Sequence, residues 1–342
     1  MIQRSLVLGA ALSVALATVG GAQAADGDTI KAITDRGHLL CGSDGKRAGF
    51  SAPDSRGVWQ GFDVDFCRAV AAAILGDAKK VKYVPLSPAQ RFPALQSGDV
   101  DILSRVTTRT LTRDTKLRLN FAPITLYSGT KMMASKSLGV KSGKELNGAS
   151  VCIPPGSSQE RAISDFFDRN GISFKAVVID NIGELSNAYL SGRCDVMANF
   201  EPGLALIRLQ SDKPDDHVIL PDDIEKEPLA PAVRHGDDQF LDTVTYVVYA
   251  TMEAEERGIS SANVDNMLSS SDPGVQRFLG KTGDLGEKLG LPANWAYQII
   301  KQVGNYAEIF ERNIGKGTPL GLMRGRNELW LNGGLHYAMP FQ

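Results

Sequence analysis

Basic tracts, internal repeats and low-complexity segments are missing from this 342-residue chain. Its 37 lysines and arginines nearly balance 39 aspartates and glutamates, for a net charge of −2. A balanced chain without a basic run is a poor partner for nucleic acid. Histidine is scarce: His38, His217, His235 and His336 stand far apart and form no paired motif. No H-E-x-x-H, G-x-S-x-G or P-loop pattern occurs. The four cysteines, Cys41, Cys67, Cys152 and Cys194, include no C-x-x-C pair and no zinc-type spacing. The composition therefore points to neither a metal site nor a cofactor. Long hydrophobic runs are also rare. Leu6–Val19 is apolar and interrupted only by small residues, but a membrane span needs about 20 apolar residues.

What that run does fit is an export leader. Arg4 supplies the positive start, and Ala22-Gln23-Ala24 is a small-x-small cleavage site, so residues 1–24 read as a signal peptide and the mature chain as starting at Ala25. No cysteine follows the run before Cys41, so a lipid anchor at the cleavage site is not indicated. Export implies a soluble protein in an oxidising compartment, where four cysteines form two disulfides with three connectivities open.

Beyond the leader the chain alternates strands and helices. Thr29–Arg36 reads as a helix closed by Gly37, and 38–42 as a strand. Gly61 to Leu75 is a helix stopped at Gly76, with Asp63 as its expected N-cap. Val81–Pro85 is a strand, Arg91–Ser97 a helix, and the DVDIL run at 99–103 a third strand. This is an α/β order with a parallel sheet. After an extended crossover near 122–133 the order repeats: strand 149–153, helix 159–170, strand 174–179, helix 182–191, strand 194–200. Pro228–Arg234 is a return crossover and 239–256 an amphipathic helix, while Trp295–Ile314 reads as one further helix. The expected division is 25–128 for the first lobe, 129–232 for the second, and 233–342 for a return to the first with a helical extension. Two lobes joined by two crossings suit a hinge. A disulfide between lobes would lock it, so Cys41–Cys67 and Cys152–Cys194 are the expected pairs.

The stretch Asp99–Phe121 organises the candidate site. A strand runs into Thr107, Thr108, Thr110, Thr112, Arg113 and Asp114, with Thr112 read as a helix N-cap. Hydroxyls, free amides and a guanidinium then surround one point, an arrangement suited to a carboxylate. An ordinary loop with surface arginines would look the same in isolation. In the second half Ser157 or Ser158 caps a helix after a tight turn, again leaving free amides. Phe50 reads either as a loop residue packed on the core or as the aromatic wall of a pocket.

The segments WQGFDVDFCRAVAAAILGD, RFPALQSGDVDIL, the threonine–arginine run, LGVKSGKELNGASVC, SGRCDV and KEPLAPAVRHGDDQF together resemble the polar amino-acid-binding receptors of bacterial ABC importers. The likeness is greatest to the general L-amino-acid branch. It implies a type II periplasmic-binding-protein fold, with two crossover strands as a hinge, closing on an amino acid. It implies a periplasmic location and a membrane permease as partner. Carried over, Arg113 would hold the α-carboxylate with the amides of Thr108 and Ser158. The Thr108 hydroxyl and Val106 carbonyl would face the α-ammonium, Phe50 would flank the ligand side chain, Ser157 sits at the second-lobe turn, and Asp44 offers a polar contact. The sequence departs from the family where an aspartate usually pairs with the ammonium: Phe200 stands there, with Glu201 next to it as a candidate replacement. Arg109 and Val106 also replace residues common in the family. These departures favour a carboxylate-rich ligand, an amino-acid derivative or a small peptide. A dehydratase-like enzyme and a ligand sensor on the same fold are the alternatives.

Overall fold

The computed structural model describes residues 26–342; the leader read at 1–24 lies outside them. Thirteen strands follow in chain order: β1 (Leu39–Ser43), β2 (Ala52–Pro53), β3 (Trp59–Gln60), β4 (Val81–Pro85), β5 (Ile102–Leu103), β6 (Leu119–Phe121), β7 (Leu126–Ser135), β8 (Ala149–Ile153), β9 (Phe174–Val178), β10 (Val196–Phe200), β11 (His217–Ile219), β12 (Glu225–Leu229) and β13 (Ala232–Arg234). One sheet has the order β4-β1-β5-β13-β6. In it β1 runs parallel to β4 and β5, and β13 returns antiparallel between β5 and β6. The other has the order β11-β7-β10-β8-β9, with β12 also paired to β7. The helix Phe62–Leu75 packs on β1 and carries a second layer of helices, Asp238–Glu256, Trp295–Gln302 and Tyr306–Asn313, while Ser158–Arg169, Ile182–Leu190 and Glu201–Gln210 pack on the other sheet.

The two sheets are joined by a ribbon. Leu126–Thr130 of β7 and Glu225–Leu229 of β12 pair antiparallel, one strand leaving the first sheet and the other returning to it. The Thr125 amide donates to the Leu229 carbonyl at 2.8 Å, and the Ala122 amide to Pro231 at 3.0 Å. Two adjacent extended strands bend more readily than a packed core, so the ribbon is the natural hinge.

Both expected disulfides form within a sheet's own lobe. Cys41–Cys67 ties β1 to the helix Phe62–Leu75 with Cα atoms 6.3 Å apart, and Cys152–Cys194 closes the second lobe at 5.7 Å. Helix ends depart from expectation in three places. The short helix Leu111–Thr115 is capped by Thr110, which is extended (φ −140°) and accepts from the Arg113 amide at 3.3 Å; Thr112 lies inside it. The helix Phe62–Leu75 is preceded by Gly61 at φ 132°, where a Cβ would lie 2.1 Å from the Phe50 carbonyl oxygen, so Asp63 is its second residue and not its cap. The stretch read as one helix from Trp295 is two, Trp295–Gln302 and Tyr306–Asn313. Gly304 (φ 97°) turns the chain, and Asn305 restarts the helix through a reciprocal capping box with Glu308.

The last forty residues pack on the first lobe and reach the hinge. Phe341 is buried against Phe278, Trp295 and Tyr246. Asn327 grips the start of the ribbon: Tyr127 donates its amide to Oδ1 at 2.7 Å, and Nδ2 donates to the Tyr127 carbonyl at 3.1 Å. Tyr306 donates its hydroxyl to the Thr125 carbonyl at 2.8 Å, so the His336 Nε2 2.9 Å away is the ring's protonated nitrogen. Burial, and then Arg324, push His336 down to about 3, which keeps it neutral.

Candidate functional site

The cleft between the lobes is where the threonine–arginine run meets the second lobe's tight turn. Residues 107–109 lie along the returning ribbon: Ala230 donates its amide to the Thr107 carbonyl at 3.0 Å, and Arg109 its amide to Pro228 at 2.8 Å. Val106, just before them, has φ 47°, a left-handed conformation that is costly for a β-branched residue. Its amide donates to Asp63 Oδ2 at 2.9 Å, which fixes the turn. From the other side Ser157, extended at φ −87°, caps the helix Ser158–Arg169 by accepting from Glu160. That presents the free amides of the helix start to the cleft.

The lobes enclose a void of about 20 Å³, lined by Arg47, Pro88, Arg91, Arg105, Val106 and Thr108 from the first and Pro154, Ser157, Ser158, Gln159, Asn199 and Phe200 from the second. A space of about one water's size cannot admit an amino acid, so entry requires the lobes to part. Of the residues expected at the site, Val106, Thr108, Ser157, Ser158 and Phe200 are therefore brought together. Arg113 stands directly behind them. Its Nη1 donates to the Thr108 carbonyl at 2.5 Å and its Nη2 to the Gly156 carbonyl at 3.4 Å, with the guanidinium 4.9 Å from the centre of the Phe92 ring. Phe50 is buried edge-on against Phe200, centroids 5.2 Å apart, and so supports the wall without forming it. Asp44 is occupied: Arg47 Nε reaches it at 3.0 Å and Arg105 Nη2 at 3.2 Å. Glu201 is exposed and lines a groove on another face, with Lys131, Asp223 and Asn327, so it does not stand in for the missing aspartate. As first residue of the helix Glu201–Gln210, it has turned away from the β10 end that carries Phe200.

Five further polar residues line the void and were not foreseen there, Arg47, Arg91, Arg105, Gln159 and Asn199, while Asp63 and Glu227 stand behind it. Arg91 lies 4.6 Å from the Phe92 ring centre, on the ring that Arg113 also approaches, and its Nη2 donates to the Gly156 carbonyl at 3.3 Å. One backbone carbonyl of the second lobe thus receives two guanidiniums of the first. Arg47 lies 5.2 Å from the centre of the Phe200 ring, and Arg105 Nε donates to the Leu86 carbonyl at 2.7 Å. Burial, and then Arg105, Arg113 and Arg47, push the Arg91 guanidinium well down from its ordinary value. Burial brings Arg113 down to about 10 against the pull of Glu227. Burial would raise Asp44, but Arg47 and Arg105 overcome it and hold the carboxyl below its usual range. Asp63, sealed behind Val106, is pushed up to about 7 by burial, against the Val106 amide. Two buried donors at the void have no partner among the described residues, Arg91 Nε and Asn199 Nδ2. Buried donors are rarely left unmade, and each costs about 1–3 kcal/mol. A signal for Glu227 does exist in the sequence, since alternation along KEPLA puts Glu227 and Leu229 on one side of a strand.

Chain comparison settles what kind of protein carries this cleft. Residues 39–263, most of the chain, match the family described as bacterial extracellular solute-binding proteins, family 3. The chain belongs to that family. It is 49% identical over 339 residues to the general L-amino acid-binding periplasmic protein AapJ of Rhizobium johnstonii, covering 98% of this chain and 99% of that one. It is 47% identical over 333 residues to the glutamate/glutamine/aspartate/asparagine-binding protein BztA of Rhodobacter capsulatus, covering 96% and 98%. Among solved structures, an ABC transporter periplasmic binding protein from Brucella ovis with glutathione bound superposes with a TM-score of 0.89. That protein is 46% identical, over 93% of this chain and 100% of its own. The two-lobed type II architecture and the role of a solute-binding protein are thereby shown, and no described helix is long and apolar enough to cross a membrane.

Proposed function

We propose that this periplasmic receptor captures an α-amino acid or amino-acid derivative carrying a second carboxylate, a dicarboxylic amino acid or a γ-glutamyl peptide, for an ABC importer. The observation that carries the reading is the arginine set of the first lobe: Arg47, Arg91 and Arg105 line the cleft, Arg113 stands directly behind it, and among the described residues only Arg47 and Arg105 of these have a carboxylate partner. Among the described residues Arg113 and Arg91 donate only to carbonyls, and Arg91 Nε has no acceptor. Two guanidiniums without a carboxylate suit a ligand with two carboxylates, since a charged acceptor forms the stronger, bidentate bond. The Brucella ovis protein with glutathione bound supports the same class, and the glutamate/glutamine/aspartate/asparagine-binding relative includes dicarboxylic amino acids among its four ligands. Capture proceeds by population shift: the ligand docks on the arginines of the open form, and second-lobe contacts favour closure. The closed form then docks on the membrane permease, as in its ABC-transporter relatives.

The enzyme reading lacks support at the cleft. General acid–base catalysis needs a group near neutrality within reach of the substrate. Asp63 has that poise, but it sits behind Val106 and does not line the void.

Thermal melting of the ligand-stripped mature protein against L-amino acids, dicarboxylates and γ-glutamyl peptides tests the proposal. A ligand at 100 times its Kd adds about 2.7 kcal/mol of stability. Shifts are expected with glutathione and glutamate and should be smaller with monocarboxylate amino acids. Arg91→Leu should weaken the two-carboxylate ligands by about 10- to 100-fold and leave alanine or glutamine within about threefold. Equal shifts across all amino acids would replace this reading with that of a general receptor.

A further inference from the structure

Glu227 is fully buried where the two lobes and the hinge ribbon meet. Thr130 Oγ1 donates to its Oε1 at 2.6 Å and Gln159 Nε2 at 2.9 Å. The Ser158 hydroxyl lies 2.8 and 3.0 Å from the two carboxylate oxygens, and the Thr108 hydroxyl hydrogen-bonds Oε2. Both lobes and the ribbon therefore contribute donors to one acid. No ion pair among the described residues includes it; the acid paired with site arginines is Asp44.

An ionised carboxylate only accepts hydrogen bonds, and its four lone-pair sites are taken here by four neutral donors. Every hydroxyl aimed at it spends its proton there. The hydroxyls of Thr108 and Ser158, 3.2 Å apart, both line the void, and they are left with lone pairs to offer the cleft. Negative charge sits directly behind those lone pairs. Such a surface attracts a cation that can donate several hydrogen bonds and repels a carboxylate. The other acids near the site cannot do this: Asp44 is neutralised by two arginines, Asp63 is shielded by Val106, and Glu201 faces another groove. Phe200 offers a ring and no acceptor.

We propose that Glu227 selects for a free α-amino group by holding the Thr108 and Ser158 hydroxyls as acceptors. It is a positioning residue, acting through those hydroxyls, and the inference rests on the amino-acid-derivative reading above. Arginines then read the carboxylates and the Glu227 cluster reads the ammonium, so orientation in the cleft follows from charge alone.

Calorimetry on the mature protein tests this with L-glutamate, glutathione and their N-acetyl counterparts. The wild type should bind the amines more tightly than the acetylated forms. In Glu227→Gln the new amide donates to one hydroxyl and turns that proton into the cleft. Amine ligands should lose about 10- to 100-fold in affinity, and acetylated ones less than about threefold. Thr108→Val removes one acceptor without touching the acid, should show the same selective loss, and keeps the test open if Glu227→Gln folds poorly. Equal losses for amines and acetylated forms would make Glu227 a structural latch and overturn the inference while leaving the ligand class intact. Wild-type protein that prefers neither form would overturn it as well. Wild-type protein that binds none of the four overturns the ligand-class reading and this inference with it.

Discussion

The two walls of the cleft differ in kind. The first lobe presents Arg47, Arg91, Arg105 and Val106 with Arg113, Asp44 and Asp63 behind them, a wall dense in buried charge. The second presents Pro154, Ser157, Ser158, Gln159, Asn199 and Phe200, without one ionisable group. Burying charge is expensive unless it is paired, whereas hydroxyls and amides that find partners are buried at little net cost. Closure removes water from both walls, and the second wall adds no charge of its own to that cost. The charged wall is held by a large core and a disulfide, and it waits for the ligand's carboxylates. The charge of the guest then adds to the contacts that Arg91 and Arg113 make with the Gly156 carbonyl across the cleft.

The comparison breaks first at Arg113. Replacing it with alanine should cost about 2–5 kcal/mol of affinity for glutamate or glutathione, the loss that follows removal of one partner of a buried charged pair. Calorimetry showing a change below about 0.5 kcal/mol would take Arg113 out of the binding wall. Next come the disulfides, which close separations of 42 residues in the second lobe and 26 in the first. On the chain-entropy model, removing Cys152–Cys194 should lower stability by about 4 kcal/mol and removing Cys41–Cys67 by about 3.5 kcal/mol. Hydrogen exchange should localise each loss to one sheet. Loosening of both sheets by the Cys152–Cys194 double variant would mean that the walls are not independent.

Charge burial in the first wall also predicts a pH signature. Asp63 is raised to about 7, so between about pH 4 and 7 the folded chain keeps a proton that the unfolded chain has released. Its contribution to stability is full below the unfolded value and is lost as pH rises through 7. In Asp63→Asn that loss is absent, and the variant should gain on the wild type as melting is followed from pH 5 to 8. A gap that stays constant over that range would place Asp63 outside this description. The smallest effect belongs to the neutral wall: Ser157→Ala removes a helix cap and should cost about 1 kcal/mol in denaturant unfolding. Its effect on ligand affinity should be weaker than that of any first-wall arginine.

Much of this architecture was legible in periodicity and punctuation. Gly37, Gly76 and Gly98 end the helices where expected, and Ser157 caps the second-lobe helix. Local chemistry decides such positions, because a left-handed residue or a cap acts on its own turn. Caps differ from expectation where another residue or contact wins: Asp63 is drawn to the Val106 amide, and Thr110 is the extended residue two positions ahead of Thr112. The site was half legible. Val106, Thr108, Arg113, Ser157 and Ser158 lie in segments whose motif announces them, while Arg91 opens a helix that reads as ordinary and Glu227 lies one residue ahead of the crossover expected at Pro228–Arg234.

By itself the sequence determined the alternation of strands and helices, the two-lobe repeat, the cysteines that each lobe closes, and the lack of any acid where Phe200 stands. Those follow from side-chain period, turn chemistry and composition, all local to the chain. Only the tertiary structure decided that Glu201 leaves the cleft, that three arginines line it with Arg113 behind them, and that Glu227 backs its hydroxyls from the hinge. The pairing of Glu227 opposite Ser128 sets which side of β12 faces inward, and a shift of one residue would have sent Pro228 or Lys226 there instead. Local alternation places Glu227 on the side of Leu229, but the register that turns this side to the cleft depends on strands about 100 residues apart.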